Sequence, residues 1–181
     1  MWRKRPRKPD NEERVITDID RARERTMNRA VKLLAAKPRS VAELRERLLE
    51  KSWTNAQIVD RVIAKLAEYK YLDDEQFARD LAVSKLRQKP QGKRRLRQTL
   101  SQKKLAKVTV DEAIVSAFET LPETDLIDRA IEKRLRIKGR PESRDDMKKF
   151  YDYLLRQGFE YDLVITKMRE IGKIDEGSNL E

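Results

Sequence analysis

The chain of 181 residues contains no cysteine and no histidine. Their absence excludes disulfides, thiolate nucleophiles, Cys/His zinc sites and every catalytic triad that needs an imidazole base. Glycine is also scarce: the five glycines are so placed that neither phosphate-binding glycine loop, G-x-x-x-x-G-K-[ST] or G-x-G-x-x-G, can be written. We therefore expect a protein that is not an enzyme and that holds neither a cofactor nor a metal ion.

Long apolar runs are missing as well, since no stretch approaches the roughly 18 apolar residues of a membrane span. The chain begins with Met1-Trp2-Arg3 and continues with polar residues, unlike a signal peptide. These features predict a cytoplasmic protein that does not contact a membrane. Hydrophobic residues make up 38% of the chain and charged residues 41%, which favours an elongated molecule with a large surface over one deep core.

What the sequence does contain is an internal repeat of fifteen apolar positions in three sets. Within each set the spacing is 4, 5, 5 and 4 residues, and the sets are offset by 52 and then 54 residues. A period of this length is typical of stacked helical units. The sets are Leu44, Leu48, Trp53, Ile58 and Val62; Leu96, Leu100, Leu105, Val110 and Ile114; and Phe150, Leu154, Phe159, Val164 and Met168.

Helix signals divide each unit into three helices, while alternating strand patterns are missing. Proline- and glycine-containing turns separate the first and second helices. Capping patterns are predicted at Ser40-x-x-Glu43, Thr54-x-x-Gln57 and Thr109-x-x-Glu112, and Asp73 is predicted to cap the helix that follows it. We predict an all-α protein of three tandem three-helix repeats, helix-turn-helix-like units that form an elongated, curved molecule. The predicted segments are a mobile basic arm (1–20), repeats at 21–72, 73–121 and 122–173, and a polar tail (174–181).

Charge is concentrated in the second repeat, where residues 85–107 contain ten Lys/Arg and no Asp or Glu. Solvated helices usually mix charges of both signs, because oppositely charged i, i+4 pairs stabilise them. With Leu96 and Leu100 facing the core, helical spacing predicts a basic stripe of Lys93, Arg97 and Lys104 beside them. We predict that this region binds a polyanion. The binding residues predicted here are Lys89, Lys93, Arg94, Arg95, Arg97, Lys103, Lys104 and Lys107.

A second basic group lies in the first helix and turn of the third repeat, and it comprises Arg129, Lys133, Arg134, Arg136, Lys138 and Arg140. From this group we predict Arg129, Lys133 and Arg136 as binding residues, on a surface that could continue the first. The first repeat mixes charges of both signs and is assigned no binding role. Core packing, not base stacking, is predicted for the aromatic residues Trp53, Tyr69, Tyr71, Phe77, Phe150 and Phe159.

Two strings resemble the RecX family of bacterial recombination regulators. The first is Tyr71-Leu72-Asp73-Asp74-Glu75-Gln76-Phe77-Ala78 and the second runs from Lys89 to Leu100. The resemblance extends over about residues 25–171. Where family members typically have proline, glutamate and Gly-Ile, this chain has Lys93, Thr99 and Lys104-Leu105.

This resemblance implies an arc of three-helix repeats that lies in the groove of the RecA recombinase filament on single-stranded DNA. It implies inhibition of the recombinase's ATPase, strand-exchange and co-protease activities, and direct binding of single- and double-stranded DNA. We expect a monomer. The alternative is a sequence-tolerant DNA-binding or architectural protein that acts without a recombinase, because three-helix units resemble helix-turn-helix folds and the net charge of +11 would suffice.

Overall fold

The computed structural model describes residues 14–177, and within that range the chain forms nine α-helices and no strand. The prediction of an all-α repeat protein is confirmed. The helices are α1 (Ile19–Ala36), α2 (Val41–Leu49), α3 (Ala56–Glu68), α4 (Asp74–Gln88), α5 (Lys93–Ser101), α6 (Lys107–Thr120), α7 (Glu123–Lys138), α8 (Arg144–Arg156) and α9 (Tyr161–Gly177).

The chain divides into two compact units after Phe77, within α4. In the first unit, α1, α2 and α3 pack pairwise around a core that includes Ala30, Leu44, Val59 and Leu66. Since each helix presents one apolar stripe, three helices suffice to cover this core. Leu72, which follows α3, completes it.

The second unit combines the second and third repeats around one continuous core. This core includes Ala82 and Leu86 of α4, Leu100 of α5, Ile127 of α7 and Leu154 of α8, all of them buried. Two repeats that share one core cannot separate without exposing it to water. Side chains of α5 and α7 are therefore held in fixed relation to each other.

Thirteen of the fifteen repeat positions are buried. The other two, Trp53 and Leu105, occupy the same place in their repeats and are only partly buried. The guanidinium carbon of Arg25 lies 4.5 Å from the centre of the Trp53 ring, a cation–π contact. The predicted repeat is thus confirmed, with its third position at the margin of the core in the first two repeats and buried, as Phe159, in the third.

Two of the four predicted helix caps are confirmed. Ser40 and Glu43 form a capping box at α2, and Asp73 accepts the Gln76 amide of α4. The prediction for Thr54 is wrong because Asn55 caps α3, while the buried Thr54 hydroxyl bonds to Thr26 at 3.0 Å. The prediction for Thr109 is wrong because α6 begins two residues earlier, at Lys107.

The predicted segment boundaries stay predictions. Residues 1–13, which form most of the predicted basic arm, and residues 178–181 of the predicted tail lie outside the described residues. Of the described chain, no helix is both long enough and apolar enough to cross a membrane.

Candidate nucleic-acid interface

Helix α5 is the centre of the predicted basic region, and its first turn contacts the end of α8. The Gly92 amide donates to the Gln157 carbonyl at 3.0 Å, and the Arg94 amide donates to the Gly158 carbonyl at 3.3 Å. We call this contact the repeat junction. It satisfies amides at the start of α5 that have no partner within their own helix.

Two glycines allow the backbones to approach this closely. A Cβ atom added to Gly92 would lie 2.2 Å from the Gly158 carbonyl oxygen, and one added to Gly158 would lie 2.4 Å from the Arg95 nitrogen. Gly158 also has a φ of +87°, a conformation that favours glycine. The repeat junction therefore requires glycine at both positions.

Two of the cations predicted to bind a polyanion, Arg94 and Arg95, bind backbone carbonyls at the junction. Arg94 donates to the Leu155 carbonyl at 2.6 Å, and Arg95 donates to the Arg156 carbonyl at 3.3 Å. Arg95 also donates to the Gln157 side chain at 3.0 Å. The last carbonyls of a helix carry partial negative charge, so these guanidiniums cap α8. Because both acceptors are formally neutral, the positive charge of each arginine is not cancelled.

Lys93 lies between two carboxylates. Its ammonium is 3.4 Å from Glu123 and 3.3 Å from Glu160, and its amide donates to Glu123 at 3.3 Å. Burial lowers the pKa of Lys93, but the two carboxylates outweigh it and hold that pKa above its usual value. Burial raises the pKa of Glu123, and Lys93 offsets only part of this rise. The positive charge of Lys93 is thus balanced by carboxylates of the protein itself.

The prediction that Lys93, Arg97 and Lys104 form a basic stripe along one helix is wrong. Helix α5 ends at Ser101, and Lys104 follows it with a φ of +56°, so helical spacing does not extend to Lys104. Arg97 forms an ion pair with Asp111 of α6 at 2.8 Å. Lys103 is partly buried, and Lys104 and Lys107 are exposed beyond the end of α5.

Cations from three helical regions meet beside the repeat junction. Lys89 follows α4, and the charges of Arg95 on α5 and Lys133 on α7 act on it. Burial lowers the pKa of Lys89, and these two like charges lower it further. Among the residues that the structure describes, no carboxylate pairs with Lys89 or Lys133. Positive charges that repel one another and have no paired carboxylate are typical of an anion-binding surface.

Helix α7 extends this cluster along one face. Arg129, Lys133 and Arg136 follow the spacing i, i+4, i+7, and all three are exposed. We call Lys89, Arg95, Arg129, Lys133 and Arg136 the cationic face. The structure thus places five of the eleven predicted binding residues in this face, and Arg95 among them also donates to neutral oxygens of the junction, as Arg94 does. Lys93 and Arg97 are paired with acids.

The remaining basic residues of α7 point elsewhere. At about 100° per residue, Arg134 and Lys138 are centred about 150° around the helix from the centre of the group formed by Arg129, Lys133 and Arg136. The second basic group therefore does not form one surface. Spacing within α7 could have indicated this division before the structure was known.

The aromatic residues fall into two groups, those packed in the core and those exposed. Phe150 and Phe159 are buried, as predicted, and Phe77 is partly buried. The prediction of core packing is wrong for Tyr69 and Tyr71, which are 57% and 71% exposed on the turn after α3. Lys70, which lies between them in the same turn, has a left-handed φ of +59°.

The acids at the start of α4 act as caps. Asp73 caps α4 itself, and Asp74 accepts the first amide of α2, that of Val41, at 2.9 Å. Burial raises the pKa of Asp74. Nowhere in residues 14–177 do three or more acids gather in a group that could hold a metal ion.

The fold and the cationic face define a class, that of basic, all-α repeat proteins built from three-helix units. Comparison with known sequences identifies the family. Residues 27–66 match the model for the first three-helix domain of RecX, and residues 73–114 match that for the second. The Regulatory protein RecX of Chlorobaculum tepidum is 32% identical over 139 residues, which cover 76% of this chain and 82% of that protein. The chain belongs to the RecX family.

Further relatives and solved structures agree with this assignment. The Regulatory protein RecX of Chlorobium limicola is 31% identical over 147 residues, covering 79% of this chain and 89% of that protein. The crystal structure of RecX from Lactobacillus salivarius matches with a TM-score of 0.74 at 19% identity and covers 84% of this chain and 98% of that one. A second RecX crystal structure matches with a TM-score of 0.68 at 20% identity, covering 80% and 70%. These structures support the all-α repeat fold.

Proposed function

We propose that this chain binds the RecA recombinase filament on single-stranded DNA and inhibits its ATPase, strand-exchange and co-protease activities. Its relatives are named regulatory proteins, which supports a role in controlling another protein. We further propose that it acts in the cytoplasm as a monomer, without a cofactor and without catalysing a reaction.

The observation that carries the proposal is the cationic face. Its charges come from α5, α7 and the turn after α4, and the shared core of the second unit fixes their relative positions. A fixed array of cations can follow the phosphates of a nucleoprotein filament more selectively than a flexible tail can. Single- and double-stranded DNA are the proposed nucleic-acid partners, and this surface is where we expect them to bind.

The test is the ATPase rate of the matching recombinase with single-stranded DNA in excess. We expect inhibition when this protein is present well below one molecule per recombinase subunit, because a filament can be blocked at few places. Inhibition that begins only when the protein could cover all of the DNA would contradict filament binding. That result would favour the second candidate, a DNA-binding protein that needs no recombinase.

The second candidate has its own support, because the positive charges of Lys89 and Lys133 would bind any DNA backbone. For either function we expect Lys89→Gln/Lys133→Gln to weaken binding to single-stranded DNA. The slope of log K against log salt should decrease by about 0.7 for each phosphate that the variant no longer neutralises. The matched control is Arg23→Gln/Arg47→Gln, which removes two charges that are paired with acids in the first unit. Equal slopes for the two variants would contradict the assignment of the cationic face.

A further inference from the structure

The face of α7 that carries Arg134 and Lys138 borders a cavity of about 470 Å³ at the turn between α7 and α8. We call this cavity the α7–α8 cleft. Four basic side chains and two acidic side chains line it. They are Arg134, Lys138, Arg140 and Lys149, and Glu142 and Asp146.

One of the two acids is already engaged. The Asp146 carboxylate accepts a hydrogen bond from the Ser143 hydroxyl at 2.8 Å and another from the Lys149 ammonium at 3.2 Å. The Ser143 hydrogen bond, followed by that of Lys149, holds the pKa of Asp146 below its usual value. Asp146 is therefore ionised at neutral pH. Its hydrogen bonds are made to Ser143, which caps α8, and to Lys149 of α8. The cleft retains an excess of positive charge.

The walls of the cleft are ordered by packing and open to a ligand. The guanidinium of Arg134 lies 4.8 Å from the centre of the Tyr153 ring of α8, and this contact fixes its position. Gly139, at the end of α7, has a φ of +77° and nothing within 4 Å of where a Cβ atom would lie. A guanidinium held in place beside an accessible turn is suited to bidentate binding of a tetrahedral oxyanion.

We propose that the α7–α8 cleft is a second binding site, specific for a phosphate group and independent of the cationic face. The two sites lie about 150° apart around α7, so one straight segment of nucleic acid cannot occupy both at once. The phosphate can come from a nucleic-acid backbone or from a free nucleotide. This inference goes beyond the proposed function, since the cleft needs no recombinase to bind phosphate.

Two variants of the full chain test the site. Arg134→Gln/Lys138→Gln removes two charges from the cleft, and the control Arg23→Gln/Arg47→Gln removes two charges that are paired with acids in the first unit. Calorimetric titration with pyrophosphate should show an affinity about tenfold lower in the cleft variant and within about twofold of the original in the control. Because Arg134 also packs on Tyr153, Lys138→Gln alone is the second cleft variant, and we expect it to give a smaller loss with an unchanged melting curve.

The same variants distinguish the two sources of phosphate. A nucleic-acid source is supported if the cleft variant also weakens binding of a labelled oligothymidylate in the Lys89→Gln/Lys133→Gln background. A nucleotide source is supported if pyrophosphate and ATP binding fall while oligothymidylate binding does not. Equal losses of pyrophosphate affinity in the cleft variant and the control, or no loss in either, would overturn the proposal. None of these outcomes depends on the recombinase ATPase, so the two proposals can fail separately.

Discussion

Helices α2 and α5 occupy the same place in successive repeats, and their comparison separates what the fold needs from what function adds. Each has nine residues, and each buries two leucines at the same spacing. In each helix, the first amide donates a hydrogen bond to a carboxylate at the start of the next repeat. Val41 donates to Asp74, the first residue of α4, and Lys93 donates to Glu123, the first residue of α7. Burial raises the pKa of both carboxylates. These shared features are the framework of the repeat.

The two helices differ in where their cations bind. On α2, Arg45 pairs with Asp60 at 2.7 Å and Arg47 with Glu50 at 2.9 Å, so its charges are neutralised. On α5, Arg94 and Arg95 bind neutral carbonyls of α8. The second arrangement stabilises the packing of two repeats without cancelling the positive charge. A single set of arginines can thus hold the second unit together and maintain a positive potential.

The largest expected effect concerns the glycines of the repeat junction. Gly92→Ala should reduce the free energy of unfolding of the second unit by about 3 kcal/mol, because the new Cβ would overlap a backbone carbonyl that cannot move aside alone. Hydrogen exchange of the α5 and α8 amides measures the change. Exchange rates unaltered by the substitution would refute the junction.

The equivalent residue of α2 supplies the control. Ser40→Ala removes a cap and should destabilise the first unit by about 1 kcal/mol. Faster exchange should then be confined to α2 and its neighbours. If Ser40→Ala destabilises its unit as much as Gly92→Ala destabilises the other, then close backbone packing does not distinguish the start of α5 from the start of α2.

The next effect concerns the arginines of α5. Arg94→Ala/Arg95→Ala should destabilise the second unit by about 2 kcal/mol, since the variant cannot form the charged hydrogen bonds to helix carbonyls. Arg45→Ala/Arg47→Ala, which breaks exposed ion pairs, should cost about 0.5 kcal/mol in the first unit. Chemical denaturation of both variants tests this, and equal costs would show that the α8 contacts add nothing beyond ordinary ion pairs.

Much of the fold could be predicted from the sequence because its signals are local. The spacing of Leu44, Leu48 and their counterparts reflects the helical period, which needs no tertiary information. Caps were predicted less well: Thr54 has the right residue type, yet tertiary packing turns its hydroxyl to Thr26 and leaves the cap to Asn55. Local patterns cannot indicate which of two adjacent polar residues is buried.

The candidate site was predicted only in part, for a related reason. Composition indicated that the second repeat is basic, but the partners of its cations come from distant residues. Glu160 lies 67 residues from Lys93, and Leu155 lies 61 residues from Arg94. Charge counting within residues 85–107 could not find these partners. The cationic face depends on which cations remain without an acid once the repeats have packed.

A smaller effect is expected at two left-handed lysines, Lys70 after α3 and Lys104 after α5, with φ values of +59° and +56°. An L-residue in this conformation costs about 1 kcal/mol that glycine avoids. Lys70→Gly should therefore stabilise the first unit by up to about 1 kcal/mol in thermal unfolding followed by circular dichroism. Lys104→Gly should stabilise the second unit by less, because the Lys104 side chain makes contacts of its own. Destabilisation by Lys70→Gly would argue against a strained turn.

The smallest effect is a dependence on pH at Glu123. A carboxyl group whose pKa is raised on folding binds its proton more tightly in the folded state, so its contribution to stability grows as pH falls through that raised pKa. The free energy of unfolding of the original protein, minus that of Glu123→Gln, should therefore increase from neutral pH towards pH values below the usual pKa of glutamate. Denaturation of both proteins across this range measures the difference. The opposite trend would mean that the ion pair with Lys93 outweighs burial, and that Glu123 stabilises α5 chiefly as a charge and not as a hydrogen-bond acceptor for its first amide.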